Sequence, residues 1–145
     1  MSDARDAITT LVHVYAERVD AGDLEGVAAL FATASYAADG GPVRRGADEV
    51  LAALRRSIIL HDGSPRTKHV ITNLTIEVDE RTGAATARSY FTVLQATRAL
   101  PLQPVLAGRY QDRFACTAGV WHFAERKIYM DLVGDLREHV RRQRR

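Results

Sequence analysis

The chain has 145 residues, of which 46% are hydrophobic and 26% charged, and its formal net charge is +2. We expect a single domain over residues 1–145, because this length supports one substantial core and the composition is typical of a globular protein. No apolar run approaches the length of a membrane span, and residues 1–10 lack a signal-peptide core, so we predict a cytoplasmic protein without a membrane partner. The single Cys116 excludes an intramolecular disulfide and a thiolate metal cluster.

The C-terminus is strongly basic. Residues 137–145 hold five of the twenty lysines and arginines. Neither interleaved aromatic residues nor a recognition motif accompanies these charges. We therefore predict a solvated, flexible tail from about residue 137, and we do not expect a nucleic-acid partner.

The N-terminal half of the chain is predicted to be mostly helical. Apolar residues recur at helical spacing over residues 3–20, and Gly22 is suited to ending that helix. A shorter helix follows over residues 24–31, then a short strand over residues 34–38. Residues 46–60 are predicted to form a third helix with one apolar face.

From residue 67 the pattern changes to β-structure. Short turn-like sequences at residues 80–83 and 117–119 indicate hairpins. Helices followed by consecutive antiparallel strands predict an α+β fold, in which N-terminal helices pack on a curved, mostly antiparallel β-sheet and form a cone-shaped cavity. Such a cavity suits a small hydrophobic ligand. The predicted strands are 67–79, 84–97, 104–117 and 119–131.

The first long strand carries the most informative side chain, His69. Strict alternation would place Val70, Thr72, Leu74, Ile76 and Val78 on one face, and His69, Ile71 and Asn73 on the other. A lone imidazole is a poised base only when a carboxylate orients it. The best candidate partner is Asp20, at the end of the first helix.

The later strands supply aromatic and apolar residues for a cavity lining, although each taken alone is more typical of core packing. The opposite side of the second long strand is predicted to be an exposed self-association face, which indicates a homodimer or a higher homo-oligomer. Its residues are Ala87, Ser89, Phe91 and Val93. The predicted lining comprises Tyr36, Tyr90, Leu106, Tyr110, Phe114 and Trp121.

Several short motifs, in order along nearly the whole chain, resemble a known family. They are residues 15–23 (YAERVDAGD), Leu30-Phe31 followed by Tyr36, residues 68–73 (KHVITN) and residues 119–123 (GVWHF). Together they resemble the nuclear-transport-factor-2-like superfamily in its SnoaL-like branch. That resemblance implies the α+β cavity fold predicted above.

Around Asp20 and His69 the chain is similar to scytalone dehydratase and lindane dehydrochlorinase. The resemblance implies that His69 takes a proton from the substrate while Asp20 orients the imidazole. It also implies that Arg126 stabilises negative charge developing on a leaving group or enolate. Departures at Val19, Tyr15 and residues 103–105 put both specific substrates in doubt. The implied substrate-binding residues are Tyr15, Tyr36, Asn73, Tyr90, Leu106 and Tyr110.

Two functions follow from these features. The first is a cofactor-independent acid–base enzyme, of the dehydratase, isomerase or cyclase type, acting on a small hydrophobic and cyclic metabolite; no metal or nucleotide is expected. The second is a non-catalytic ligand-binding or oligomer-forming module that resembles the β subunits of ring-hydroxylating dioxygenases. In the second case, Asp20 is a turn residue beside Gly22 and His69 is a strand histidine with no catalytic role.

Overall fold

The computed structural model describes residues 3–141, which contain three helices and six strands. The strands form one sheet in the order β2-β1-β6-β5-β4-β3, antiparallel except for the parallel pair β1 and β6. The predicted α+β fold, with N-terminal helices on a curved and mostly antiparallel sheet, is confirmed; only the two-residue strand β2 was not predicted. The helices are α1 (Ala4–Asp20), α2 (Leu24–Ala29) and α3 (Gly46–Ser57). The strands are β1 (Ser35–Ala38), β2 (Arg44–Arg45), β3 (Thr67–Asp79), β4 (Ala84–Gln95), β5 (Gln103–Thr117) and β6 (Val120–Val133).

Local sequence signals set the bounds of the first two helices. The Asp3 carboxylate caps α1 by accepting a hydrogen bond from the backbone N–H of Asp6. Gly22 follows the end of α1 with φ +75°, and Asp23 caps α2 through the N–H of Gly26. No helix in residues 3–141 has the length and apolar content needed to cross a bilayer. The buried face of α1 carries Ile8, Val12, Tyr15, Ala16 and Val19.

The C-terminal segment changes two of the predicted boundaries. Helix α3 ends at Ser57, three residues early, because Ile58 is extended and forms a β-bridge with Val140. The N–H of Ile59 donates to the carbonyl oxygen of His139 at 2.9 Å, and His139 is only 5% exposed. Within the segment predicted to be a flexible tail, the backbone of residues 139–141 therefore pairs with the end of α3; residues 142–145 lie outside the described residues.

A β-bulge in β3 breaks the predicted alternation. Asn73 has φ +55°, and the register to β4 shifts between Thr72 and Thr75. Residues before the bulge and after it therefore exchange faces. Val70 is 41% exposed on the outer side, whereas Ile76 is buried against the helices. The prediction that these two residues share a face is wrong.

The predicted self-association face of β4 is in fact the inner face of the sheet. Phe91 is 2% exposed and Val93 is fully buried. The helices cover this side of the sheet, and the aromatic rings of the two layers pack together between them. Phe31 of the helical layer stacks on Phe123 with centroids 4.9 Å apart, and Phe91 stacks on Tyr110 at 4.5 Å. Side chains that would line a wide cone therefore fill much of the space between the layers.

Candidate active site

Asp20 is brought to the start of β3 by a tight loop after α1. A side chain at Gly22 would collide with the carbonyl oxygen of Gly63, so the close approach of the two loops requires glycine there. The hydroxyl of Ser64 donates to the carbonyl oxygen of Asp20 at 3.3 Å. These contacts hold the last residue of α1 against the first residues of β3.

The Asp20 carboxylate accepts three hydrogen bonds from β3. Its Oδ1 lies 2.6 Å from Nδ1 of His69 and 2.8 Å from Oγ1 of Thr67, and its Oδ2 accepts the backbone N–H of His69 at 2.8 Å. Only 12% of the Asp20 side chain and 8% of the His69 side chain are exposed. The predicted pair is therefore formed, close and largely shielded from water.

The environment keeps this carboxylate ionised. Burial on its own would raise the pKa of Asp20, but the hydrogen bonds and charge of His69, helped by the Thr67 hydroxyl, lower that pKa below its ordinary value. Asp20 is also the last residue of α1, where the helix dipole disfavours negative charge. The donors on β3 therefore compensate for this unfavourable position.

The pair fixes the tautomer of the His69 ring. An ionised carboxylate only accepts hydrogen bonds, so Nδ1 of His69 carries a proton; in the neutral form of an imidazole the other nitrogen, here Nε2, is then the acceptor. Within residues 3–141, Nε2 of His69 has no hydrogen-bond partner. The ring borders a cleft of about 520 Å³ between α1 and β3. The cleft is lined by His13, Ala16, Glu17, Asp20, Ala21, Lys68, His69 and Ile71.

Four of the predicted substrate-binding residues lie on the inner side of the sheet, away from this cleft lining. Tyr15, Tyr110 and Leu106 are buried, and the hydroxyls of Tyr15 and Tyr36 are 2.9 Å apart. Burial raises the pKa of Tyr15, Tyr36 and Tyr110, so their hydroxyls stay protonated at neutral pH. They form a polar-tipped aromatic cluster in the core.

Asn73 and Tyr90 lie on the outer side of the sheet. The bulge turns Asn73 outward, and Tyr90 is 54% exposed because its neighbours Ser89 and Phe91 occupy the inner positions of β4. Both border a separate cavity of about 460 Å³, which is also lined by the inner residues Ser89 and Tyr110. The structure does not bring either residue to the Asp20–His69 pair.

Arg126 is held by a different aspartate. Its Nε and Nη2 donate to the two carboxylate oxygens of Asp112 at 2.8 and 2.9 Å, and both side chains are fully buried. The guanidinium lies over the rings of Tyr110 and Tyr15, at 3.7 and 4.2 Å from their centroids. Arg126 does not line the cleft beside Asp20 and His69, and its buried Nη1 has no hydrogen-bond partner among residues 3–141.

Three residues that contribute to these sites were not predicted. Thr67 has a clear signal, since it lies two residues before His69 and strand alternation places both on one face. The pairing of Asp112 with Arg126 could not be predicted by counting from the turn, because a register shift between Arg113 and Phe114 offsets the β5–β6 hairpin by one residue. His139, whose ring centroid is 6.2 Å from that of His69, comes from the segment predicted to be flexible.

The described residues do not form a cluster of metal ligands. Among residues 3–141, no three or more histidine, cysteine, aspartate or glutamate side chains are grouped so that they would hold a metal ion. The absence of such a group leaves the expectation of a cofactor-free site as a prediction.

Comparison with protein families identifies the class of protein. The sequence matches the SnoaL-like domain over residues 1–127. The chain therefore belongs to the SnoaL-like domain family, and its fold is nuclear-transport-factor-2-like, as the sequence motifs indicated. A search of curated proteins gave no match.

Solved structures with this fold come from proteins of different kinds. A Mycobacterium tuberculosis protein of unknown function is 30% identical, with a TM-score of 0.72 and coverage of 88% of this chain and 71% of that chain. A proposed scytalone dehydratase from Novosphingobium aromaticivorans is 23% identical (TM-score 0.73; coverage 90% and 86%). The β subunit of a proposed aromatic-ring-hydroxylating dioxygenase from the same bacterium is 21% identical (TM-score 0.71; coverage 90% and 90%). The last two likenesses show the fold alone.

Proposed function

We propose that this protein is a cofactor-independent acid–base enzyme in which His69 abstracts a proton and Asp20 orients and stabilises the imidazole. The observation that carries the proposal is the 2.6 Å contact between Asp20 Oδ1 and His69 Nδ1, with Nε2 of the ring left without a partner beside a cleft. The carboxylate holds the ring in one orientation and stabilises the imidazolium that forms on proton transfer.

The cleft indicates a class of substrate. Ala16, Ala21 and Ile71 give it apolar walls, while Glu17 and Lys68 add charges. A small hydrophobic, cyclic compound with an acidic C–H next to a carbonyl fits such a site. Dehydration, isomerisation and cyclisation all begin with that proton abstraction, so the reaction type is proposed only at this level.

Deuterium exchange tests the proposed step without knowledge of the natural substrate. In D2O, a panel of cyclic ketones including 1-tetralone is followed by NMR for exchange at the carbon next to the carbonyl. We expect exchange above buffer with the native protein, and a loss of about 10²–10⁴-fold in His69→Gln and Asp20→Asn. Equal exchange in the native protein and both variants, with all three folded by circular dichroism, would contradict the proposal.

A second, non-catalytic function is favoured by the dense packing between the helices and the sheet. Arg126 is enclosed by Asp112 and aromatic rings, and the stacked pair Phe31 and Phe123 fills space between the layers. Both features suit a non-catalytic ligand-binding or oligomer-forming module, in line with the dioxygenase β subunit that shares the fold. Such a module would show no exchange, and it would form a defined complex when co-expressed with an oxygenase large subunit.

We also propose an oligomeric state and a cellular location for this protein. The outer face of the sheet exposes Val70, Tyr90 and Leu132, which are 41%, 54% and 70% accessible. We propose a homodimer that covers this face, in the cytoplasm. Light scattering of the purified protein tests the assembly, since a mass of 16.0 kDa would mean a monomer.

A further inference from the structure

One face of α1 forms a wall of the cleft beside His69. His13, Glu17 and Asp20 recur at i, i+4 and i+7, and this spacing places them in one stripe along the helix. Because an α-helix rises about 1.5 Å per residue, His13 lies roughly 10 Å along the axis from Asp20. The small side chain of Ala16 lies between them in the same wall. The cleft of about 520 Å³ is therefore bordered by one histidine from α1 and by one from β3.

The ring of His13 is available to a ligand in this cleft. His13 is exposed and belongs to the cleft lining. The histidine ion pairs among residues 3–141 are those of His61 and His69, so the neighbouring carboxylate of Glu17 does not hold the His13 ring. An imidazole carries at least one N–H group whether it is neutral or protonated. His13 can therefore donate a hydrogen bond to a ligand oxygen.

The cleft lining offers few other side-chain donors. Three of its residues end in alkyl groups and two in carboxylates, which accept hydrogen bonds but do not donate them when ionised. Apart from His69 itself, the side chains with N–H groups in the lining are those of His13 and Lys68. Lys68 precedes His69 on β3, so strand alternation directs these two side chains to opposite sides of the sheet. His13 belongs to α1, whose last residue, Asp20, holds the His69 ring, and it is the better-placed donor.

We propose that His13 is a second catalytic histidine, whose N–H hydrogen-bonds the carbonyl oxygen of a cyclic ketone while His69 takes a proton from the adjacent carbon. This inference rests on the proton abstraction proposed for Asp20 and His69. The C–H bond of the ligand breaks, the proton passes to Nε2 of His69, and the electron pair moves to the carbonyl oxygen. The N–H of His13 donates to that oxygen as its negative charge develops. Return of the proton from His69 to carbon restores the ketone and both imidazoles.

Two matched variants of His13 separate hydrogen bonding from packing. His13→Leu removes both nitrogen atoms, whereas His13→Gln keeps an N–H donor, and both replacements favour a helix. Because His13 is exposed, neither should change the melting temperature much. We expect 1-tetralone exchange to fall about 10²-fold in His13→Leu, mainly in kcat rather than KM, because the bond strengthens as charge develops. His13→Gln should retain about a tenth of the native rate.

Lys68→Met tests the other donor in the lining, because methionine keeps much of the side-chain length but removes the ammonium group. We expect a smaller loss of exchange in Lys68→Met than in His13→Leu. A larger loss in Lys68→Met, or native activity in His13→Leu, overturns the inference. Loss of exchange in His69→Gln together with native activity in His13→Leu would overturn this inference alone, whereas equal exchange in the native protein and His69→Gln would overturn the proposed function.

Ligand binding gives a readout that does not depend on turnover. 1-Naphthol is a stable aromatic analogue of the enol of 1-tetralone, and naphthalene has the same ring system without the oxygen atom. In NMR titrations, His13→Leu should weaken the binding of 1-naphthol about tenfold and leave the binding of naphthalene unchanged, because the lost hydrogen bond involves only the oxygen. Equal weakening of both ligands would mean that His13 only packs against the ring. That result, or native affinity of His13→Leu for 1-naphthol, would contradict the inference.

Discussion

Two aspartates in this molecule each bind a nitrogen-containing side chain: Asp112 binds Arg126, and Asp20 binds His69. Their surroundings differ, and the difference indicates which pair stabilises the fold and which is placed to contact a ligand. Asp112 binds Arg126 through both oxygens inside the core, and both side chains are fully buried. Asp20 binds His69 at the border of a cleft and uses its other contacts to hold the strand backbone and Thr67. The first pair lies away from the cleft and leaves the buried Nη1 of Arg126 without a hydrogen-bond partner among residues 3–141, whereas in the second pair the imidazole borders the cleft.

The difference teaches that an ion pair in the middle of a sheet is weak evidence for catalysis. Arg126 is always protonated, since neighbouring Asp112 raises its pKa despite burial, and its charge is already balanced. His69 has a proton to exchange and a carboxylate that orients it. Variants of the two aspartates should therefore have opposite effects on activity and stability.

The largest effect is expected on activity in Asp20→Asn. The amide cannot enforce the Nδ1–H tautomer or stabilise imidazolium, so 1-tetralone exchange should fall about 10²–10⁴-fold. The melting temperature should change much less than in variants of Asp112. A variant that loses its fold along with its activity would break the contrast between the two pairs.

Asp112→Ala should instead destabilise the protein by about 3–5 kcal/mol, because it leaves the buried Arg126 charge without a partner. Urea denaturation measures this loss. The double variant Asp112→Leu with Arg126→Met should recover much of it, since replacing both partners removes the buried charge. Native-like stability of Asp112→Ala would show that the pair does not hold the core as described.

The next effect concerns pH and His139. Its pKa is about 4 in the folded protein against an ordinary value of 6.5, so between these values the unfolded chain binds the extra proton. Stability is therefore full above about pH 6.5 and is lost as pH falls toward 4, by on the order of 3 kcal/mol. The lowered pKa of Asp20 acts below its ordinary value of 3.8, a separate and more acidic range.

Urea midpoints at pH 7.5, 5.5 and 4.5 test this window. His139→Phe removes the titrating ring while keeping its volume, so its stability should change less than that of the native protein between pH 6.5 and 4. Parallel pH dependence in both proteins would contradict the burial of a neutral His139.

The smallest effect is expected for Thr67→Val, which removes one of three donors to the Asp20 carboxylate. The loss of a hydrogen bond to a charged group should cost about 1.5–3 kcal/mol at most, and the two contacts with His69 remain. Exchange should fall by less than in Asp20→Asn. A larger loss of activity in Thr67→Val would mean that the hydroxyl, rather than the imidazole, orients the carboxylate.

Local sequence patterns predicted the elements and one long-range pair, and they failed where the backbone departs from regular geometry. Turn residues located the hairpins, and the motif resemblance paired Asp20 with His69 across 49 positions. Strict alternation does not predict the bulge at Asn73, so residues on the two sides of the bulge were assigned to the same face of β3 although they lie on opposite faces. A second register shift placed Asp112 opposite Arg126, where simple hairpin counting from the turn expects Glu125.

The contacts of the C-terminal segment could not be predicted for a different reason. Its charges indicate solvation, but its stability comes from backbone hydrogen bonds to residues 57–59 and from the burial of His139. Contacts of that kind depend on the shape of the assembled sheet, and the amino-acid composition of the segment does not predict them.

The position of Asp20 has a consequence for aggregation. Strand β3 is at the edge of the sheet, and edges with free backbone groups recruit strands from other chains. Helix α1 occupies such groups at both of its ends, since Arg5 donates to the carbonyl oxygen of Ile76 at 2.6 Å and Asp20 accepts the N–H of His69. The Asp20 carboxylate therefore also occupies a backbone donor of this edge that a strand from another chain would need.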